Sequence, residues 1–223
     1  MYKVIGVDEA GKGPVLGSMF IGFCIIHVEK KEDIDDFQKH LKELGVTDSK
    51  KLSDFKRAQL YEQLKTKCDM KFVQLTPNIL NLRMQKESLN EIEISAIVTI
   101  LKAEKPQLVY LDALTAKPKE YGEQIRNSLG FPCEIISENK ADLTYTIVGA
   151  ASIIAKELRE QEVAQIKHNL KIDCGSGYPA DPKTREFVKL HGKVKEYEFL
   201  FRKEWATYKE LTSNTNQKKL TDF

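Results

Sequence analysis

Met1-Tyr-Lys-Val-Ile-Gly-Val-Asp-Glu-Ala-Gly-Lys-Gly-Pro-Val-Leu-Gly17 opens the chain, and the reading of this stretch governs the rest. Tyr2 to Asp8 is a β-rich run that ends on an acid, with Glu9 next to it and a glycine-rich turn behind. An apolar run that stops abruptly at carboxylates reads as a buried strand delivering charge to the end of a sheet. Val15 to Val28 then reads as a second strand, with a third folded out of it after the turn. Further along, Leu108 to Leu111 is another buried strand, and it delivers Asp112.

The intervals between these runs are helical. Asp33 to Leu44 stops at Gly45, a C-cap, and Ser53 caps a helix through about Lys67 with Phe55, Leu60 and Leu64 on its apolar side. Met70 to Leu75 is a strand that Pro77 ends, and Ser88 to Ala103 is a largely buried helix. Pro118 opens a helix that Gly130 closes, and Pro132 to Ile136 is a strand. From Asp142 a long helix runs toward Asn169, and beyond a loop at Cys174 to Pro182 only helical patterns remain. The expected architecture is an α/β core over residues 1–155, a helical C-terminal subdomain over 156–211, and a polar tail over 212–223.

With 223 residues, 41% of them hydrophobic and 30% charged, the chain has the material for a real core and is not a disordered protein. No apolar run approaches the roughly 18 residues of a membrane span. Cys24, Cys68, Cys133 and Cys174 are dispersed with no CxxC pair, so they read as reduced thiols of a cytoplasmic protein. The net charge of +2 does not indicate a strongly basic binder, so contact with a nucleic acid must come from local patches. One such patch is Lys183 to Lys203, with seven Lys or Arg against three Glu. It is also readable as a solvated face.

Asp8, Glu9, Asp112 and Asp142 form the candidate acidic constellation. In an α/β sheet the ends of parallel strands gather at one crevice, where ligands bind. Carboxylates gathered there repel one another unless cations neutralise them. Oxygen ligands without His or Cys suit Mg²⁺ or Mn²⁺. Two divalent ions about 3.5–4 Å apart are the usual arrangement for phosphoryl displacement, and they would balance four negative charges. Sequence position alone leaves the convergence of the four open, and Asp142 by itself also reads as a helix N-cap. Gly6-x-x-x-x-Gly11-Lys12 imitates the start of a phosphate-binding P-loop. Gly13 follows where a hydroxyl is needed, and two carboxylates lie inside the loop, so that reading is rejected.

Five stretches in order carry a family resemblance: Gly6 to Gly17, Asp48-Ser-Lys-Lys-Leu52, Tyr110-Leu-Asp112, Asn139-Lys-Ala-Asp142 leading into Gly149-Ala-Ala-Ser-Ile-Ile-Ala-Lys156, and Gly175-Ser-Gly-Tyr-Pro-Ala-Asp-Pro-Lys-Thr184. Together they resemble ribonuclease HII, the type 2 ribonuclease H family, in its archaeal and eukaryotic branch. The resemblance implies a ribonuclease H-like mixed β-sheet flanked by helices, with a helical C-terminal subdomain that grips substrate. It places the family's metal-binding, catalytic carboxylates on Asp8, Glu9, Asp112 and Asp142. It implies two-metal hydrolysis of the RNA strand in RNA–DNA hybrids, and cutting 5′ of single ribonucleotides in duplex DNA, leaving 3′-hydroxyl and 5′-phosphate ends. The family's glycine-basic-glycine loop falls on Gly11, Lys12 and Gly13, where many relatives carry arginine in place of Lys12. Backbone approaches a sugar closely at glycine, and a 2′-hydroxyl is what separates RNA from DNA. Tyr178 matches the tyrosine that stacks on the sugar at the RNA–DNA junction. Without the resemblance, the loop reads as a tight turn and Tyr178 as a cap on the core. Lys50 and Lys51 are candidate phosphate contacts.

The end of the chain, Gln217-Lys-Lys-Leu-Thr-Asp-Phe223, resembles the peptide by which replication and repair enzymes dock on a sliding clamp. Gln217, Leu220 and Phe223 would be its anchors, and one helical turn puts Leu220 and Phe223 on the same side. The alternatives are a junction resolvase of related fold and a clamp-tethered nucleic-acid-binding module without catalysis. The Gly11–Gly13 and Tyr178 matches stand against the first, the complete acidic set against the second. A monomer without membrane attachment is expected.

Overall fold

Val4, Ile5 and Val7 are wholly buried, and a strand buried on both faces belongs in the middle of a sheet. Strand β1 (Tyr2–Ala10) does lie there. The computed structural model describes residues 1–47, 52–113 and 115–213. Its five-stranded sheet has the order β3-β2-β1-β4-β5, with β2 at Met19–Val28, β3 at Asp69–Leu75, β4 at Leu108–Asp112 and β5 at Glu134–Glu138. β1 pairs antiparallel with β2 and parallel with β4, and β4 runs parallel to β5. The helices are α1 (Ile34–Glu43), α2 (Asp54–Leu64), α3 (Pro77–Arg83), α4 (Leu89–Glu104), α5 (Pro118–Leu129), α6 (Ala141–Thr144), α7 (Thr146–Leu170), α8 (Pro182–His191) and α9 (Ala206–Ser213). The sheet is therefore mixed and helix-flanked.

Several boundaries differ from those expected. Val15 to Val28 yields one strand, not two, because Gly17 turns the chain with φ of 81° before β2 begins. Pro77 ends β3 but also starts α3, where the Thr76 hydroxyl caps the helix by accepting from Ile79 N at 3.4 Å. Asp142 does not open the long helix. It lies in the short α6, and extended backbone at Tyr145 (φ −113°, ψ 113°) separates α6 from α7. Phe55 faces solvent at 73% exposure, leaving Arg57, Leu60 and Leu64 as the buried face of α2. Helix α9 continues through Thr212 and Ser213, two residues into the expected tail, with Thr212 Oγ1 donating to Tyr208 O at 2.7 Å.

The small residues of α7 are explained by the sheet. A Cβ on Gly6 would collide with the carbonyl of Ile147, and one on Gly22 would sit 2.5 Å from Ala151 O. Backbone meets backbone at both places. Gly6 is thus a packing glycine inside β1, which disposes of the P-loop reading on structural grounds.

The chain forms two compact units. The first comprises Met1–Ala10, Phe20–Gln74 and Glu93–Leu158. Its core gathers Val4, Cys24, Ile26, Leu108, Ile147 and Ile153. The second comprises Gly11–Met19, Leu75–Ile92 and the chain from Arg159 onward. Its core gathers Val15, Leu16, Cys174, Phe187, Leu200 and Phe201.

Candidate active site

In the first unit, parallel pairing sets Val7 opposite Leu111, so Asp8 and Asp112 occupy the next positions of adjacent strands. Both are buried, at 5% and 9% exposure. Burial pushes the Asp8 carboxyl up to about 8, and the charges of Asp112 and Glu9 add to the rise. Hydrogen bonds from the Ser152 hydroxyl and from Glu9 N, the latter at 2.7 Å, act in the opposite direction. Desolvation and like charge therefore outweigh two donors, and a cation held beside the carboxylate would favour its charged form. Glu9 alternates to the less buried side of β1. Tyr121 of α5 is pushed above its ordinary range, mostly by burial and then by the charges of Glu93 and Glu9.

Asp142 reaches the same end of the sheet by a different route. Lys140 takes the left-handed conformation, φ 60°, and starts α6. The next residue, Ala141, donates its N–H to Asp112 Oδ1 at 2.9 Å. Asp142 is itself buried and lines a cavity of about 330 Å³ with Lys42, Val46, Thr47 and Gly149. Among the described residues, no three His, Cys, Asp or Glu side chains are already gathered to hold an ion. The donor set nevertheless fits a hard divalent cation: it is all oxygen, and the Asp8 carboxylate is destabilised as it stands. Lys50 and Lys51 lie outside the described residues.

In the second unit, Gly11 is buried with φ of 86°, Lys12 is half-buried and Gly13 is exposed. A Cβ on Gly13 would lie 3.7 Å from the Tyr178 ring, so loop and tyrosine are neighbours. Tyr178 is 42% exposed, too open for a core cap. The Arg159 guanidinium stacks on its ring, 4.7 Å from the centroid, and donates to Ser176 O. Arg202 and Trp205 donate to carbonyls of the Gly11–Gly17 loop. Glu162 takes hydrogen bonds from both the N–H and the hydroxyl of Ser18.

Ser152, Arg159 and Glu162 are not singled out by the sequence as site residues, and Arg202 enters there only as one member of the basic stretch Lys183 to Lys203. A lone polar residue within a helical or loop pattern carries no periodic signal, and only the fold shows where it points. The basic stretch Lys183 to Lys203 is also less open than its composition implies. Arg202 is wholly buried. Lys183 pairs with Asp173 at 2.6 Å, Arg185 with Glu210 at 3.0 Å, and Lys203 with Glu198.

A mixed sheet with acids on adjacent strand ends, flanked by helices, defines a ribonuclease H-like hydrolase, and comparison with known proteins bears this out. The family model described as Ribonuclease HII matches residues 5–208. A ribonuclease HII of Methanosarcina acetivorans is 38% identical over 219 residues, covering 93% of this chain and 95% of that protein. The crystal structure of the ribonuclease H2 from Pyrococcus horikoshii superposes with a TM-score of 0.83 at 35% identity, over 96% of this chain and 99% of that one. The solved PCNA:RNase HII complex from Archaeoglobus fulgidus gives a TM-score of 0.80 at 33% identity, over 91% of this chain and 94% of that one. The chain belongs to the ribonuclease HII family. Its activity is accordingly that of a ribonuclease H, an endoribonuclease acting on RNA–DNA hybrids.

Proposed function

We propose that the protein cuts the RNA strand of hybrids and also the 5′ side of single ribonucleotides embedded in duplex DNA, leaving 3′-hydroxyl and 5′-phosphate ends. Asp8, Glu9, Asp112 and Asp142 would hold two divalent ions, Mg²⁺ or Mn²⁺. When bound, such ions lower the pKa of water for in-line attack and stabilise charge on the leaving oxygen. The observation that carries the reading is the buried Asp8, whose ionisation is opposed by desolvation and by Asp112 and Glu9. Ser152 holds the Asp8 carboxyl in one orientation, and the Ala141 N–H does the same for Asp112. Both supports leave lone pairs for a cation.

Recognition falls to the Gly11-Lys12-Gly13 backbone, which would meet the ribose 2′-hydroxyl, and to Tyr178, whose exposed ring would stack on the sugar. Lys50 and Lys51 would contact phosphates, and Lys12 would supply the basic charge of the loop. The test uses three substrates with Mg²⁺ or Mn²⁺: a duplex carrying a single ribonucleotide, a duplex of DNA throughout, and a four-way junction. Cutting of the first alone, at its 5′ side, is expected. Cutting of the junction would point to a resolvase. Asp112→Asn should abolish cleavage, by about 10³-fold or more, with hybrid binding retained. Near wild-type cutting by that variant would remove the metal assignment.

A second part of the proposal concerns the end of the chain. Gln217, Leu220 and Phe223 lie outside the described residues. What supports a clamp-binding reading is the sequence pattern and the Archaeoglobus fulgidus relative solved with PCNA. Removal of residues 217–223 should abolish binding to a sliding clamp in a titration while intrinsic cleavage stays at the wild-type rate. The working form we infer is a cytoplasmic monomer, and among the described residues no helix is long and apolar enough to cross a membrane.

A further inference from the structure

Arg202 is the largest wholly buried side chain among the described residues, and its hydrogen bonds all go to one stretch of backbone. Nε donates to Gly17 O at 2.8 Å, and Nη1 donates to Gly11 O at 2.6 Å with a longer reach of 3.4 Å to Lys12 O. Trp205 Nε1 donates to the same Lys12 carbonyl at 3.2 Å, and the guanidinium lies 4.9 Å from the Trp205 ring centroid. Nη2 makes no hydrogen bond. Burying a guanidinium is costly, and an apolar side chain of similar volume would fill a core at less cost. What an apolar side chain would not do is take hold of the loop carbonyls.

The peptide bonds described are all trans, and in a trans peptide the C=O of one residue and the N–H of the next point in opposite directions. Drawing the Gly11 and Lys12 carbonyls inward therefore turns the N–H groups of Lys12 and Gly13 away from the buried guanidinium. Gly11, at φ 86°, is in a conformation that only glycine holds without strain. Glycine permits the turn but does not select it among the many conformations open to glycine. The two donors on Lys12 O and the fork on Gly11 and Gly17 make that selection.

We propose that Arg202 is a positioning residue that fixes the peptide orientation of the Gly11-Lys12-Gly13 loop and so sets the preference for ribose over deoxyribose. The proposal rests on the reading that this loop meets the 2′-hydroxyl. It differs from a purely structural role in one measurable respect. A core-filling residue, when altered, weakens all nucleic-acid binding alike, whereas a residue that orients the loop weakens only the part that depends on the hydroxyl.

The experiment compares full-length wild type with Arg202→Lys and Trp205→Phe in Mg²⁺. It measures KM and kcat for a duplex carrying one ribonucleotide, and Ki for the same duplex in DNA throughout, used as a competitor. Wild type should show KM about tenfold or more below Ki, the size of one well-made hydrogen bond to a neutral group. Arg202→Lys keeps a charge but loses the fork. Its KM should rise about tenfold toward Ki with Ki unchanged within about twofold, and Trp205→Phe should move the same way by about threefold. A folded Arg202→Lys with the wild-type ratio of Ki to KM overturns the proposal, as does an equal rise in both constants. If Arg202→Lys shows no cooperative melting, Trp205→Phe decides, and an unchanged ratio there overturns it. Should wild type itself show KM equal to Ki, the failure lies in the assignment of the loop to the 2′-hydroxyl, and the proposal falls with it.

Discussion

At the residue scale, Asp8 has a carboxyl that burial and its acidic neighbours raise to about 8, while in the unfolded chain it titrates near 3.8. Between those values the folded protein holds a proton that the unfolded chain has lost. In the metal-free protein this group's stabilising contribution is complete below pH 3.8 and is lost as pH rises toward 8. The slope is at most about 1.4 kcal/mol per pH unit. Asp8→Asn removes that dependence, since its amide never ionises. Urea titrations in chelator at pH 5, 7 and 9 should show the variant gaining on wild type as pH rises, while losing activity at every pH. Parallel profiles for the two proteins would contradict this. Asp8 and Asp112 were legible as strand-end acids because each ends an apolar run, whereas Asp142 follows the polar turn Glu138–Lys140 and joined the set only through the resemblance. Ser152, which opposes the shift in Asp8, was not legible, because one serine in a run of small residues reads only as packing. The mutual placement of Asp142 and Asp8 was not legible either, since it depends on a turn at Lys140 that no periodicity announces.

At the scale of elements, α6 does work out of proportion to its four residues, since its first N–H holds Asp112. The entry to α6 needs left-handed backbone at Lys140, which an unbranched side chain tolerates at a cost of about 1 kcal/mol and a β-branched one does not. Lys140→Gly should keep activity within about twofold. Lys140→Val should lower stability by about 1–2 kcal/mol and lower cleavage as well, because Asp112 loses its fixed orientation. Thermal melting and a hybrid-cleavage assay check both, and a fully active, wild-type-stable Lys140→Val would show that the turn is not needed. Strands β1, β4 and β5 were readable from apolar runs bounded by turn residues. The extent of β2 was not, because Val15 and Leu16 are as apolar as the strand but belong to the core of the second unit. Nor was the break at Tyr145, where apolar and small residues continue on both sides.

At the scale of the molecule, the sequence order of the helices suggested a second region beginning near residue 156, but the second unit also draws on Gly11–Met19 and Leu75–Ile92. Its core depends on these early segments: Val15 and Leu16 are almost wholly buried among Phe187, Leu200 and Phe201. Asn81 of α3 brackets the same region, donating to Phe201 O at 2.8 Å and accepting from Lys203 N at 2.7 Å. A fragment of residues 159–213 therefore lacks part of its own interior. It should show no cooperative unfolding in urea by circular dichroism, and a sharp transition from the isolated fragment would contradict this. Linear patterning could not reveal such sharing, because contacts across 100 or more residues leave no trace in local composition. The interleaving also bears on the making of chimeras. A graft that exchanged only the C-terminal third between two members of the family would pair a guest Arg202 and Phe201 with a host loop that never evolved beside them. The natural boundaries for recombination run through residues 11–19 and 75–92 as well, and a transplant of the second unit has to carry all three pieces together.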